Sequence, residues 1–216
     1  EPERYRLQIV VGEVDGESRS IEWHAYRPDA EYFYPASTVK LPVAALALVE
    51  LRRLAEKHGV NIDRDTPMVF HPLFAGETVE DTDPTDVEGG VLSVGHEVRK
   101  IMLASDNAAY NRLFEFVGHE RANAALQNEA NLASVMLTHR LSEYRTPEQN
   151  RRSPAISLLA DGGRVEIPPR TSEHVYAESL MEPHSIRLGR GYLTRNGLVP
   201  EPMQFADNNR ASLADL

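Results

Sequence analysis

Pro35-Ala36-Ser37-Thr38-Val39-Lys40-Leu41-Pro42-Val43-Ala44-Ala45-Leu46-Ala47-Leu48-Val49 holds a single charge in an otherwise apolar run. The pattern predicts a helix from about Ser37 to Lys57, stopped by His58-Gly59. Pro42 falls near the first turn, where a missing backbone N–H is tolerated. A helix apolar all round is expected to be buried, so Lys40 demands a reason for being there. An ammonium in such surroundings costs on the order of a few kcal/mol unless it is paired or deprotonated. Ser37 lies three positions earlier, and residues i and i+3 of a helix are about 5–6 Å apart on one face. Burial lowers a lysine's pKa, which would let it act as a base toward that hydroxyl. The positive end of the helix dipole would favour an oxyanion at Ser37. A plainer reading has Ser37 capping the helix and Lys40 snorkelling to solvent, since Ser-X-X-Lys pairs are common by chance.

Outward from this helix the chain is organised as follows. Residues 5–12 alternate, with Leu7, Ile9 and Val11 on one face, and Asp15-Gly16 is a turn signal. Ile21–Tyr26 reads as a second strand with Trp23 and Ala25 on one side, so a hairpin precedes the helix. Residues 61–90, rich in Asp, Pro, Thr and Gly, read as a long loop. Ser93 is placed to cap a second helix running through Ala104, with further helices expected at about 108–117 and 120–130. Residues 141–210 are turn-rich, with a short strand expected near Arg164–Ile167.

Composition narrows the chemistry. A formal net charge of −10 provides no basic field to attract nucleic-acid phosphate. The acidic stretch Asp81–Glu88 reads as a solvated loop. Without cysteine there are no disulfides, no thiol nucleophile and few routes to a structural zinc site. No apolar run reaches 18 residues, the length of a membrane-spanning helix. His96-Glu97 and His119-Glu120 begin like a zinc-protease helix, but neither has a second His four positions on. Gly189-Arg190-Gly191 lacks the third glycine of a dinucleotide loop, and Arg187, Arg190 and Arg195 read as a solvated basic loop.

Ser105-Asp106-Asn107 stands at the junction of two expected helices, 68 positions after Ser37. Together, Pro35-Ala36-Ser37-Thr38-Val39-Lys40 and Ser105-Asp106-Asn107 make the chain resemble class A β-lactamases and their penicillin-binding relatives, over roughly residues 5–130. The resemblance implies an α+β fold, an antiparallel sheet flanked by helices plus a helical lobe. It implies one domain over 1–216: hairpin and nucleophile helix in 1–60, helical lobe in 61–140, and a long loop region with the start of a further helix in 141–216. By the same resemblance Ser37 attacks an acyl carbonyl of an amide, lactam or ester and Lys40 takes its proton. Ser105 passes a proton to the leaving nitrogen, and Asn107 binds the substrate and orders Lys40. Asp106 ties the turn together, and the Ser37 N–H supplies half of an oxyanion hole. No metal or cofactor is required, the substrate is a small molecule or peptide-like, and export to the bacterial periplasm is expected.

The chain departs from that pattern twice. The third motif of the family, Lys-Thr-Gly or a close variant, is absent, since no lysine follows Lys100. The last residues, Ala211–Leu216, read as the first turn of an apolar-periodic helix, so the native polypeptide is expected to continue beyond Leu216. Thr146-Pro147-Glu148-Gln149-Asn150 resembles the deacylation stretch of class A enzymes, with Thr146 where the water-activating Glu would stand. Glu143 and Glu148 are the nearby substitutes, and the sequence selects neither. The alternative to a turning-over hydrolase is therefore a β-lactamase-fold binding protein that deacylates slowly or not at all.

Overall fold

The computed structural model describes residues 5–28, 33–79, 82–85, 90–161, 163–174, 186–205 and 207–215. Of the acidic stretch 81–88, residues 81 and 86–88 lie outside them; within the described part Asp83 is 4% exposed, so the reading as a solvated loop is corrected there. The helix read from the apolar run is α1, Lys40–His58, entered through a 3₁₀ turn at Ala36–Val39. It ends at Gly59, whose left-handed φ of 64° lets its N–H reach the Ala55 carbonyl at 2.9 Å. Val43, Ala44, Ala47, Leu51 and Leu54 are buried, but Leu41 is 64% exposed and Leu48 and Val49 are also open. The expectation of burial all round is corrected: one stripe of α1 faces the core and another faces outward.

Three more helices complete the lobe. α2 is Val94–Ala104, α3 Asn107–Val117 and α4 His119–Ala124, with a π-helical turn at Ala125–Glu129 extending α4. Ser93 caps α2 as read from sequence, its hydroxyl accepting the His96 N–H at 3.2 Å. The core joins the inner stripe of α1 to Ile101 of α2 and to Tyr110, Leu113, Phe114 and Phe116 of α3, all nearly inaccessible. Burying such side chains contributes roughly 1.5–3 kcal/mol each, so this helical contact is the main support of the Ser37 turn.

The hairpin forms as β1, Ile9–Val14, paired antiparallel with β2, Ile21–Tyr26. Asp15 closes its loop by accepting the N–H groups of Glu17 and Ser18. Gly12 faces Trp23 across the pair, and a Cβ there would meet the indole at 2.9 Å. Both faces stay largely open, with Val11 52% exposed on one and Trp23 64% exposed on the other, so the strands are not half-buried as their alternation predicts. Among the described residues the strands make five small antiparallel sheets instead of one large one. β3, Met68–Phe70, crosses the segment read as loop and pairs with β5, Ile156–Ala160. β5 in turn pairs with β6, Gly163–Ile167, the strand expected near 164–167.

The region from residue 141 is more regular than its prolines suggest. It holds α5 at Pro147–Asn150, and β4 at Arg152–Ser153 pairs with β7 at Arg170–Thr171. β8 (Arg187–Leu188) and β11 (Met203–Gln204) form a pair, as do β9 (Tyr192–Thr194) and β10 (Gly197–Val199). These strands are two or three residues long, too short for alternation to show in sequence. A 3₁₀ turn at Leu213–Asp215 stands where the start of a further helix was read. Among the described residues no helix is long and apolar enough to cross a membrane.

Candidate active site

Ser37 sits in the 3₁₀ turn just ahead of α1 and is exposed, while Lys40 is 3% exposed. The turn is locked by Thr38, whose N–H and hydroxyl both donate to the Pro35 carbonyl, at 3.0 and 2.6 Å. The Thr38 bond is the first of the 3₁₀ ladder, so the Ser37 N–H stands ahead of it with no acceptor inside the turn. Lys40 Nζ donates to Ser37 Oγ at 3.1 Å. The same nitrogen donates to the Ser105 carbonyl at 2.6 Å, to Ser105 Oγ at 3.0 Å and to Asn107 Oδ1 at 2.6 Å. Snorkelling is thereby excluded as the reason for this lysine. Burial pushes the Lys40 amine below the ordinary lysine range, and the charge of Asp106 partly opposes the shift.

The partners of Lys40 come from the corner between α2 and α3. Ser105 takes the left-handed conformation at φ 52° as the C-cap of α2, and Asp106 caps α3 through Oδ1, which accepts the Ala109 N–H at 2.8 Å. Two helices thus stop and start within three residues, and the Ser105 carbonyl and the Asn107 amide turn toward α1. Asn107 Nδ2 donates to Ser142 Oγ at 2.6 Å, fixing its Oδ1 on Lys40. One helical turn on, Asn111 accepts the Leu141 N–H and donates to the Leu141 carbonyl and to Glu143 Oε2, at 2.8, 3.0 and 3.3 Å. Asn111 and Ser142 were missed in the sequence. The usable signal was Asn107 and Asn111 at i and i+4, which place two amides on one face of α3.

Three non-glycine residues with positive φ adjoin this cluster: Ala36 (46°), Ser105 (52°) and Ser142 (56°). Such backbone costs of order 1–3 kcal/mol each and is retained where surroundings over-determine it, often at functional sites. A cavity of about 510 Å³ opens beside Ser37, Lys40 and Ser105, with Leu41, Ile101, Met102 and Val135 among its walls.

The carboxylates put forward for water activation fare differently. Glu143 lies next to Ser142 but is engaged by Asn111 and by Arg145, at 2.5 Å. Glu148 is exposed in the first turn of α5, and among the described residues its carboxylate makes no hydrogen bond to the Ser37–Lys40 cluster. Thr146 caps α5 in a reciprocal capping box with Gln149. Asn150 accepts from the Arg140 N–H (3.2 Å) and guanidinium (3.3 Å), and donates to the Arg145 carbonyl (3.3 Å).

Residues 6–160 match the family described as the beta-lactamase enzyme family (Beta-lactamase2). The chain belongs to this family. No curated protein and no solved structure gives a match. The matched span runs from the hairpin through α1, the Ser105–Asn107 corner and α5 to β5. Membership makes this a β-lactamase-like chain of a serine hydrolase family and implies a small-molecule substrate.

Potential metal ligands do not gather at Ser37 among the described residues. Among the described residues one buried group, Asp83, His96 and Glu97, has ligand atoms within 4.8 Å of one another, and Lys100 and Arg112 already supply positive charge to it. His119 is buried against Phe114 and pushed down to about 4 by burial and by the charges of Arg151, His174 and Arg140.

Proposed function

We propose that this β-lactamase-family chain transfers an acyl group through Ser37, forming an acyl-enzyme on an amide, lactam or ester, and that the acyl-enzyme is long-lived. The observation that carries the reading is the hydrogen-bonded set around Lys40 Nζ. Carbonyl oxygens can only accept, so the Ser105 carbonyl and Asn107 Oδ1 claim two N–H groups of Lys40 in either charge state. The remaining position on nitrogen faces the hydroxyls of Ser37 and Ser105. It carries a proton when the amine is charged and a lone pair when it is neutral. Burial favours the neutral form, which accepts the Ser37 proton.

In this scheme the Ser37 Oγ–acyl carbon bond forms as the bond from that carbon to the leaving atom breaks. The proton passes from Ser37 to Lys40 and through Ser105 to the leaving group. The Ser37 N–H, ahead of the 3₁₀ ladder, is available to the carbonyl oxygen as charge develops.

Slow deacylation is supported by what occupies the α5 turn. Thr146 is committed to its cap, Asn150 to Arg140 and Arg145, Glu143 to Asn111 and Arg145, and Glu148 points its charge to the exposed side of a short helix. Activation of the Ser37 hydroxyl and activation of a water are thus unequally provided for. Rapid-quench intact-mass kinetics with an activated ester tests this. A burst of about one adduct per chain followed by much slower turnover is expected; turnover without a burst would contradict it.

A further inference from the structure

We propose that Lys100 is a positioning residue, an internal clamp that holds the Ser105-Asp106-Asn107 corner at the geometry Lys40 requires. Its ammonium lies 2.5 Å from Asp83 Oδ2 and 3.7 Å from Asp106 Oδ2. Its backbone carbonyl accepts the Asp106 N–H at 3.4 Å at the end of α2, and the Ser105 N–H, which donates to the Ile101 carbonyl at 3.0 Å, shares it as a second acceptor. One residue therefore grips the corner at main chain and side chain together. The Asp106 carboxylate is shared accordingly, Oδ1 on the first turn of α3 and Oδ2 toward Lys100.

The far end of the clamp is anchored. Asp83 is 4% exposed, and its Oδ1 accepts the N–H and the hydroxyl of Thr85, at 2.9 and 2.7 Å. Its own N–H donates to the Gly90 carbonyl at 2.8 Å. Around it stand His96, with Nε2 3.1 Å from Asp83 Oδ2, and Arg112, 3.6 Å from Asp83 and 3.1 Å from the fully buried Glu97. This is a buried charge network and not a surface ion pair, so removing one member leaves others uncompensated. Burial alone would raise the Asp83 carboxyl, yet hydrogen bonds from Lys100, Thr85 and His96 hold it well below the usual carboxylate range. A bound cation is not needed to balance these carboxylates, because Lys100 and Arg112 occupy that role.

The effect on acylation rests on the reading of Ser37 given above; the clamp itself does not. The test compares wild type, K100M and K100R by amide hydrogen exchange and by acylation with a fluorescent penicillin. In K100M the amides of Ser105, Asp106, Ala109 and Tyr110 should exchange about tenfold faster or more, with those of α1 unchanged. The limiting acylation rate should fall about tenfold or more while the half-saturating concentration changes less than about threefold, and K100R should restore both. A folded K100M that exchanges and acylates like wild type overturns the proposal, as does K100R behaving like K100M. If wild type gives no adduct but the corner loosens in K100M, the clamp stands and the acyl-transfer reading falls. Should K100M fail to fold, D83N removes the charge that anchors Lys100 and carries the same comparison.

Discussion

Lys40 is held between two opposing influences, dryness and the negative charge of Asp106, and the balance sets its fraction of neutral amine. Dryness lowers its pKa, and the Asp106 carboxylate raises it. In the proposed mechanism the neutral amine accepts the Ser37 proton, so acylation should rise with pH through a midpoint below the ordinary lysine value. Removing the Asp106 charge takes away the opposing influence, so D106N should move that midpoint further down. Asn caps helices about as well as Asp, so α3 is expected to stay capped. A midpoint for D106N that stays put or moves up, measured from acylation rates across pH, contradicts this electrostatic reading of the site. Ser37, Lys40, Ser105 and Asn107 were all legible as residues. The approach of Ser37 to Lys40 was legible from helical spacing, whereas that of Ser105 and Asn107 to Lys40 was legible only through the family resemblance, because spacing along a chain gives no distance between two helices.

Elements were legible where they were long and periodic. α1, α2 and α3 lie within a few residues of their expected ranges because apolar periodicity, the Ser93 cap and the Gly59 stop all agree there. β3 was illegible because its partner is far away in sequence, Met68 pairing with Leu158. Beyond residue 150 β6 was expected, and the two- and three-residue strands were too short to read even where, as in β9 and β10, the partner is a sequence neighbour. α5 shows a local rule that reading for catalysis obscured. Thr146-Pro147-Glu148-Gln149 is a helix start with a cap, a proline in the first turn and a reciprocating Gln. T146A should therefore cost about 1 kcal/mol in urea denaturation and leave the acylation rate unchanged. A large loss of acylation with no loss of stability would instead place Thr146 in the chemistry.

At the scale of the molecule, a rigid helical core carries a site whose two halves come from α1 and from the α2–α3 corner. The stretch from Leu141 to Asn150 is fastened over that corner by Asn111 and by Arg140, whose guanidinium is buried against Glu115 at 2.6 Å. Burial raises the Glu115 carboxyl despite that arginine, which marks how dry this support is. The helical core was readable from its apolar pattern. The polar fastening was not, since Arg140, Asn111 and Asn150 are surface-type residues that only their folded partners make buried.

The proposed chemistry depends on the exposed hydroxyl at position 37 being the group that becomes acylated. Intact mass and peptide mapping after exposure to penicillins and activated esters, on wild type and S37A, measure this directly. One adduct on the peptide containing Ser37, absent from S37A, is the expected result. An adduct that persists in folded S37A, or none on wild type across the whole panel, would contradict it.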